Sequence, residues 1–375
     1  MRKYLTIIAA VLLVAVGSTL AVVFTAGASS APKNATTVKT TTATLDQVQT
    51  VLQPIVQANK SVTGGSAAYT LTVTPTKSSS ASASGPLAAL LSNGFTVSGT
   101  VQADSTAKAF DATVAAALGT SSTPVMTAEV YWKGTEGWVN YNGTWYALPP
   151  KALKKVQQAE ARHAKADASQ HAAMEAKAQK LIAKLGIDPQ LWLKGLTMGQ
   201  DATVPSLTQI STSFDVQQIA TDVVKIAQSR QFRAMAKKEM TKLEAKAGAR
   251  GAAMKARMHA KVGQSWKGRD LSQLPSQAAQ VVQDPQATLW VDQSAKTFNK
   301  FELTLTVVPP AQANAPITSA GINFTVDKIK LGATTVTPST PVTDPQPWSK
   351  LQSQFKGLQK MFGGMALGNA KGGWK

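Results

Sequence analysis

The chain has no cysteine among its 375 residues. This absence excludes disulfide bonds, thiolate metal sites, a cysteine nucleophile and lipid attachment through a cysteine. Histidine occurs three times, and the 20 acidic residues are outnumbered by 39 basic ones. Packing must therefore stabilise the fold, and the protein is strongly basic, with a formal net charge of +19.

Residue patterns typical of hydrolases are also missing. The sequence contains no nucleophile elbow, and no pair of cleft carboxylates can be singled out among the scattered acidic residues. Ser30 and Lys33 match a Ser-x-x-Lys pattern, but they lie in a segment that we interpret as a linker. The sequence therefore predicts a protein that is not an enzyme and that needs no cofactor.

One polar stripe resembles a metal site. His163, Asp167, His171 and Glu175 follow one another in steps of four, which would place them on one face of a helix. Neighbouring pairs could chelate a divalent ion, whereas the alternative interpretation is a solvated polar stripe. Open surface pairs that lack a third ligand bind metal weakly, so we predict no resident metal.

The N-terminal segment has the composition of an export signal. Residues 5–28 carry no charge, follow Arg2 and Lys3, and end in the small residues Ala26, Gly27 and Ala28. A cleaved signal peptide and an uncleaved membrane anchor both fit this pattern, because about 20 apolar residues suffice to cross a bilayer. With either alternative, we expect an extracytoplasmic protein that is secreted or anchored to the cytoplasmic membrane.

Composition divides the remaining chain into three parts. Residues 29–44 are rich in Ala, Ser and Thr, which predicts a flexible linker. Residues 45–350 carry the periodic apolar patterns and are interpreted as one domain, with Val336 to Pro341 closing its folded part. Residues 351–375 form a basic, glycine-rich tail.

The domain begins with a helical pattern and continues with strands. Leu45, Val48, Leu52 and Ile55 recur at helical spacing, which predicts an amphipathic helix. Strand alternation is clearest in four stretches, in each of which apolar residues take one face and polar residues the other. These stretches lie at 69–74, 95–102, 298–308 and 322–326.

The segment 124–150 combines strand alternation with two turns. Ala128, Val130 and Trp132 alternate with Glu129, Tyr131 and Lys133, so that the second set is expected to face solvent. Gly134 to Gly137 and then Asn142-Gly143 are expected to turn the chain. This part of the sequence therefore predicts an antiparallel meander.

The positive charge is concentrated outside the strands. Residues 151–184 carry a net charge of +5, residues 230–261 carry +8, and five lysines without an acidic residue follow Asp344. The first two segments are rich in Ala and Lys and are predicted to form long basic helices. They have three possible roles: solvated helix faces, contact with anionic headgroups or wall polymers, and nucleic-acid binding, which export disfavours. We expect an anionic membrane or cell-wall surface as the partner and no nucleic acid.

The order helix, strands, helices, strands predicts an α+β fold with one antiparallel sheet whose apolar face is covered by helices. This order resembles that of the LppX-type and LolA-type lipid carriers of bacterial envelopes. The resemblance is carried by Val130-Tyr131-Trp132, Gly143 to Pro149, Asp188-Pro189, Phe214-Asp215-Val216, Leu289 to Asp292 and Val336-Thr337-Pro338. It implies a strongly curved half-barrel sheet whose concave face is covered by helices that leave an apolar cavity.

The same resemblance implies a function. A cavity of this kind would bind or carry a lipid or another hydrophobic molecule at the cell envelope. The residues expected to line it alternate on the apolar strand faces: Leu71, Val73, Val97, Val101, Val130, Trp132, Leu303, Leu305 and Phe324. The alternative is a structural or adhesive envelope protein with a filled core, because folding requires the same apolar alternation without any cavity.

Overall fold

A computed structural model describes residues 41–59, 61–77, 93–119, 121–151, 153–154, 179–234, 241, 271–309 and 317–353. The predicted leader 1–28, most of the linker and most of the two basic segments lie outside these residues. The stripe from His163 to Glu175, the lysines of the tail beyond Lys350 and most of the tail lie outside them as well.

Thirteen strands within the described residues form one sheet. They are β1 Thr41–Thr42, β2 Gly64–Lys77, β3 Phe95–Asp104, β4 Ala109–Leu118, β5 Met126–Lys133, β6 Glu136–Tyr141, β7 Thr144–Ala147, β8 Leu193–Gln200, β9 Leu207–Phe214, β10 Val282–Asp292, β11 Thr297–Val307, β12 Ile317–Leu331 and β13 Gln346–Pro347. Their spatial order is β1-β8-β9-β10-β11-β12-β2-β3-β4-β5-β6-β7-β13, so the sheet is open, with β1 and β13 at its edges. Every pairing is antiparallel except that of β7 with β13.

The prediction of one mainly antiparallel sheet with some helix is confirmed. The helices α1 Leu45–Ala58, α2 Val216–Gln228 and α3 Leu274–Val281 accompany the sheet, and residues 179–184, 230–234 and 348–353 are helical as well. A short 3₁₀ helix, Pro189–Trp192, precedes β8. The two long basic helices of the prediction are not shown, because most residues of their segments lie outside the described ranges.

Helix α1 begins at a reciprocal cap. The Thr44 hydroxyl accepts a hydrogen bond from the Gln47 backbone N–H, and the Gln47 side chain accepts one from the Thr44 N–H at 2.8 Å. This capping box satisfies two backbone donors that the first helical turn leaves without partners. The amphipathic helix predicted from the spacing of apolar residues is confirmed, because its residues Val48, Leu52 and Ile55 are buried.

Helix α1 fills the core at one end of the sheet. Its residues Val48, Leu52 and Ile55 are at most 2% exposed and pack with Leu196 of β8, Ile210 of β9 and Val291 of β10. The half-buried Leu289 and Phe298 pack against the same cluster. Strands β8 to β11 therefore meet α1 through their apolar side.

A buried acidic residue joins α2 to the start of β8. Asp222 is fully buried and accepts hydrogen bonds from Trp192 Nε1 at 2.9 Å, Gln218 Nε2 at 2.8 Å and Lys225 Nζ at 2.9 Å. Burial alone would raise the pKa of Asp222, but these three donors outweigh it and the pKa is lowered. The network holds Asp222 as an ion and fixes α2 to Trp192.

The meander of β5 to β7 has the two predicted turns. Asn142 and Gly143 both have positive φ, at 48° and 86°, which is the conformation of a two-residue hairpin turn that Asn-Gly favours. The turn between β5 and β6 is tighter than predicted, because Glu136 already pairs with Lys133 and Gly137 with Trp132. Only Gly134 and Thr135 remain outside the two strands.

Gly99 of β3 leaves room for the Tyr69 side chain of β2 to reach over β3 to β4. The Tyr69 hydroxyl donates to the Thr113 backbone oxygen at 2.8 Å, passing over Gly99, which pairs with Tyr69. A Cβ at Gly99 would lie 1.9 Å from that oxygen. Partial burial raises the pKa of the Tyr69 hydroxyl, which therefore stays neutral and acts as the donor.

Candidate functional site

The nine residues predicted to line a ligand site all lie on one face of the sheet. Directly paired residues share a face. Leu303 pairs with Phe324, Phe324 with Leu71, and Leu71 with Val97, which makes one row across four strands. Leu305 and Val73 belong to the next row, on either side of Ile322.

The remaining three predicted residues extend this face toward β5. Val101 pairs with Ala112, and Ala112 pairs with Val130. Trp132 pairs with Phe110, and the two rings stack with centroids 4.2 Å apart. We call the face that carries the nine residues the apolar face.

All nine residues are half-buried, and none belongs to a fully buried core cluster of the described residues. Apart from Ala320 of β12, the buried apolar side chains of the same face lie elsewhere. At the β8 to β10 end, α1 closes the face through Leu289, which pairs with Phe301 in the row beside that of Leu303.

The other end of the apolar face is closed by leucines that follow β7. A Cβ added to Gly137, which pairs with Trp132, would lie 3.2 Å from Leu148 Cδ1 and 3.3 Å from Leu153 Cδ1. Leu153 is 2% exposed. The half-buried stretch of β11, β12, β2, β3 and β4 therefore lies between two closed ends of one face.

This arrangement is suited to apolar contact. Each methylene group that leaves water for such a surface contributes about 0.8 kcal/mol. An acyl chain of ordinary length lying between the two closed ends would gain several times that amount. The described part of the apolar face offers no charged group that would need a partner in the ligand.

The opposite face of the same strands is rich in hydroxyl groups. A cavity of about 330 Å³ lies mainly on this side and is lined by Thr72, Thr74, Asp284, Gln286, Thr304, Leu305, Thr306, Gly321, Ile322 and Asn323. Thr72 Oγ1 and Thr96 Oγ1 of neighbouring strands lie 3.5 Å apart. The sequence predicted polar alternation here but gave no sign of a cavity.

Beyond β3, the opposite face is not the solvent-facing surface that alternation predicts. Glu129 and Tyr131 were both expected to face solvent, but they are 4% and 8% exposed. Residues 332–345, which we call the strap, follow β12, and their Val336 and Val342 pack with Tyr131, Trp138 and Trp145. The prediction of an exposed face is wrong at this end, because a loop from a distant part of the sequence covers it.

The strap is also attached by hydrogen bonds. The Ser339 backbone N–H donates to Glu129 Oε1 at 2.6 Å, and the Ser339 hydroxyl donates to Glu129 Oε2. The chain then continues into β13 and a helical turn at 348–353, where Leu351 is 1% exposed. Val336 to Pro341 therefore covers β4 to β7, and ordered chain follows it.

A second carboxyl lies beside Glu129 under the strap. Asp111 is 1% exposed. Burial, a hydrogen bond with Glu129 and the charge of Glu129 together raise the pKa of Asp111 to about 7. Sequence reasoning missed this pair, although an acidic residue inside each of two adjacent apolar strands was a signal for it.

Within the described ranges, no group of three or more His, Asp or Glu side chains is placed to hold a metal ion. The predicted His163 to Glu175 stripe lies outside those ranges. Among the described helices, none has the length and apolar character needed to cross a membrane.

Sequence comparison assigns the chain to no family. No protein-family model matches it, and no curated protein matches it.

Proposed function

We propose that the chain is a non-enzymatic carrier or sensor of a lipid or another hydrophobic ligand at the bacterial cell envelope, similar to the LppX-type and LolA-type carriers. The observation that carries this proposal is the position of the half-buried stretch of the apolar face. It spans β11, β12, β2, β3 and β4, and packed side chains close the same face at both ends. The ligand lies along Leu71, Val97, Leu303 and Phe324.

We further propose that the sheet is strongly curved around this stretch, with the apolar face on its concave side. Register shifts support the curvature, because bulges bend strands and increase their twist. Such shifts occur in β8 between Lys194 and Thr197, in β10 between Gln283 and Gln286, and in β12 between Asp327 and Lys330. A straight helix cannot contact a bent sheet along its whole length. The space that remains between them can hold an acyl chain.

Native mass spectrometry of the gently purified, full-length protein tests the carrier proposal. A carrier retains ligand, so we expect a species heavier than the bare chain that returns to the bare mass after organic extraction. The extract should contain an amphiphile of one class. A bare mass under native conditions, together with no uptake of added lipid, would instead favour the structural or adhesive alternative with a filled core.

We also propose that the basic segments attach the carrier to an anionic surface. The support is the charge distribution, since residues 151–184 and 230–261 carry +5 and +8. Each basic residue near an anionic bilayer contributes about 1 kcal/mol, and salt screens this attraction. Binding to vesicles should require anionic lipid and fade between low and high salt; equal binding to neutral vesicles would refute the attachment.

A further inference from the structure

The pair formed by Asp111 and Glu129 has no part in the ligand proposal, because both residues lie on the face opposite to the nine apolar residues. Asp111 pairs with Tyr131, and Glu129 lies one row away in the same strand as Tyr131. Both carboxyls are more than nine-tenths buried under the strap. A buried acidic pair beneath a loop must either bind a proton or have its negative charge neutralised by neighbouring groups.

The burial of the pair favours one proton. Two adjacent carboxyls that are 1% and 4% exposed repel each other when both are ionised, and this burial and repulsion raise the pKa of Asp111. Glu129 already accepts from the backbone N–H and the hydroxyl of Ser339. Asp111 Oδ1 has no hydrogen-bond partner in the described part of the chain. The proton therefore belongs on Asp111, and the two carboxyls together carry a single negative charge while the strap is docked.

The surrounding groups do not neutralise a second charge. Opposite Asp111 stand the neutral Gln102 on β3 and Tyr131 on β5. Burial and the charge of Asp111 both raise the pKa of the Tyr131 hydroxyl, so it stays neutral as well. The titratable groups beside the pair on this face are the half-buried Asp104 and the exposed Lys108, Lys133 and Glu136. The exposed Lys330 lies in the row of Asp111 but three strands away, and Asp344 is the only charged residue of the strap.

We propose that the strap is a proton-dependent latch, which stays docked on β4 to β7 while Asp111 carries a proton and loosens when Asp111 is ionised. Ionisation places two negative charges side by side beneath Val336 and Val342. Moving the strap lets water reach both carboxyls, and it breaks the hydrogen bonds from Ser339.

The direction of the pH dependence follows from linkage. With the strap docked, the pKa of Asp111 is about 7, and in the released state it returns toward the ordinary value of 3.8. The docked state therefore holds the proton more tightly, and docking is strongest below the lower pKa. The equilibrium constant for release rises by up to about tenfold per pH unit between the two pKa values and levels off above the higher one.

The absence of cysteine allows a direct measurement, because a single introduced thiol is the only one in the chain. Val336→Cys places the thiol at a buried strap position, and Thr337→Cys places it at the exposed neighbouring position. The ratio of their labelling rates with a small thiol reagent cancels the intrinsic pH dependence of thiols. We expect the ratio of buried to exposed labelling to rise at least tenfold between pH 5 and pH 7.5.

The matched control is Asp111→Asn, which keeps the shape of a neutral carboxyl but cannot ionise. In this background the ratio should stay low and flat across the same range. A flat ratio with Asp111 in place, or an equal rise in Asp111→Asn, would overturn the latch. If circular dichroism shows that Asp111→Asn does not fold, Ser339→Ala decides: loss of the hydroxyl donor should raise the ratio several-fold at every pH, and an unchanged ratio refutes the proposal.

Discussion

The two regions of the apolar face that lie side by side differ in how they are covered. Under α1, Leu196 and Val291 of the sheet are at most 2% exposed. In the central strands, Leu71, Leu303 and Phe324 remain half-buried, although their strands alternate just as regularly. Alternation thus determines which side of a strand is apolar. Segments elsewhere in the chain determine whether other side chains cover that side.

The largest effect is expected from the comparison of two leucines. Leu52→Ala in α1 should lower the free energy of unfolding by about 3 kcal/mol, because it leaves a cavity in a closed core. Leu71→Ala should cost about 1 kcal/mol in ligand-free protein, since its side chain is only half-buried. Denaturant unfolding of both variants measures the difference. Equal losses would mean that the central stretch is packed as tightly as the core.

A smaller loss is expected from the charged network around Asp222 at the α1 end of the sheet. Asp222→Asn removes the charge that Lys225 and Trp192 bind, so we expect a loss of about 2 kcal/mol in the free energy of unfolding. The control is Glu136→Gln at an exposed position, which should change stability by less than about 0.5 kcal/mol. A loss no larger than that of the control would show that the network contributes nothing.

The smallest effect is a pH dependence at the same end of the sheet. Asp201 accepts hydrogen bonds from Thr203, Val204 and Trp290, and the pKa of Asp201 is lowered to about 2, chiefly by the Thr203 hydroxyl. A lowered pKa stabilises the fold above the ordinary value of 3.8 and ceases to do so as the pH falls through 2. Asp201→Asn should therefore cost about 1 kcal/mol at pH 7, where the partly exposed group is screened, and only a small part of that near pH 2. Unfolding curves at the two pH values test this, and a pH-independent difference contradicts it.

The strands of the sheet and α1 were predictable because their signals are local. The alternation at 69–74 and the spacing of Leu45, Val48 and Leu52 reflect the geometry of a strand and of a helix. The Asn142-Gly143 turn is specified by its own two residues for the same reason. The nine apolar residues fall on one face because pairing preserves the side on which each residue lies.

The strap and the acidic pair were not predictable, because both depend on contacts between distant residues. Ser339 meets Glu129 across 210 positions of sequence, and no local pattern marks that contact. Strand alternation assigned Glu129 and Tyr131 to solvent, and Val336 and Val342 then cover that side. Coverage of the central apolar face is the same kind of long-range property, so the sequence left a cavity and a filled core as alternatives.

The central claim is that a hydrophobic ligand lies on the half-buried stretch of the apolar face. Its most direct test is the titration of delipidated protein with a fluorescent long-chain fatty acid, using two variants of adjacent β11 residues that pair on opposite faces. Leu303→Asn should weaken binding at least tenfold, whereas Thr304→Asn should leave the affinity unchanged. Equal effects of the two substitutions, or no saturable binding by the unchanged protein, would contradict the account.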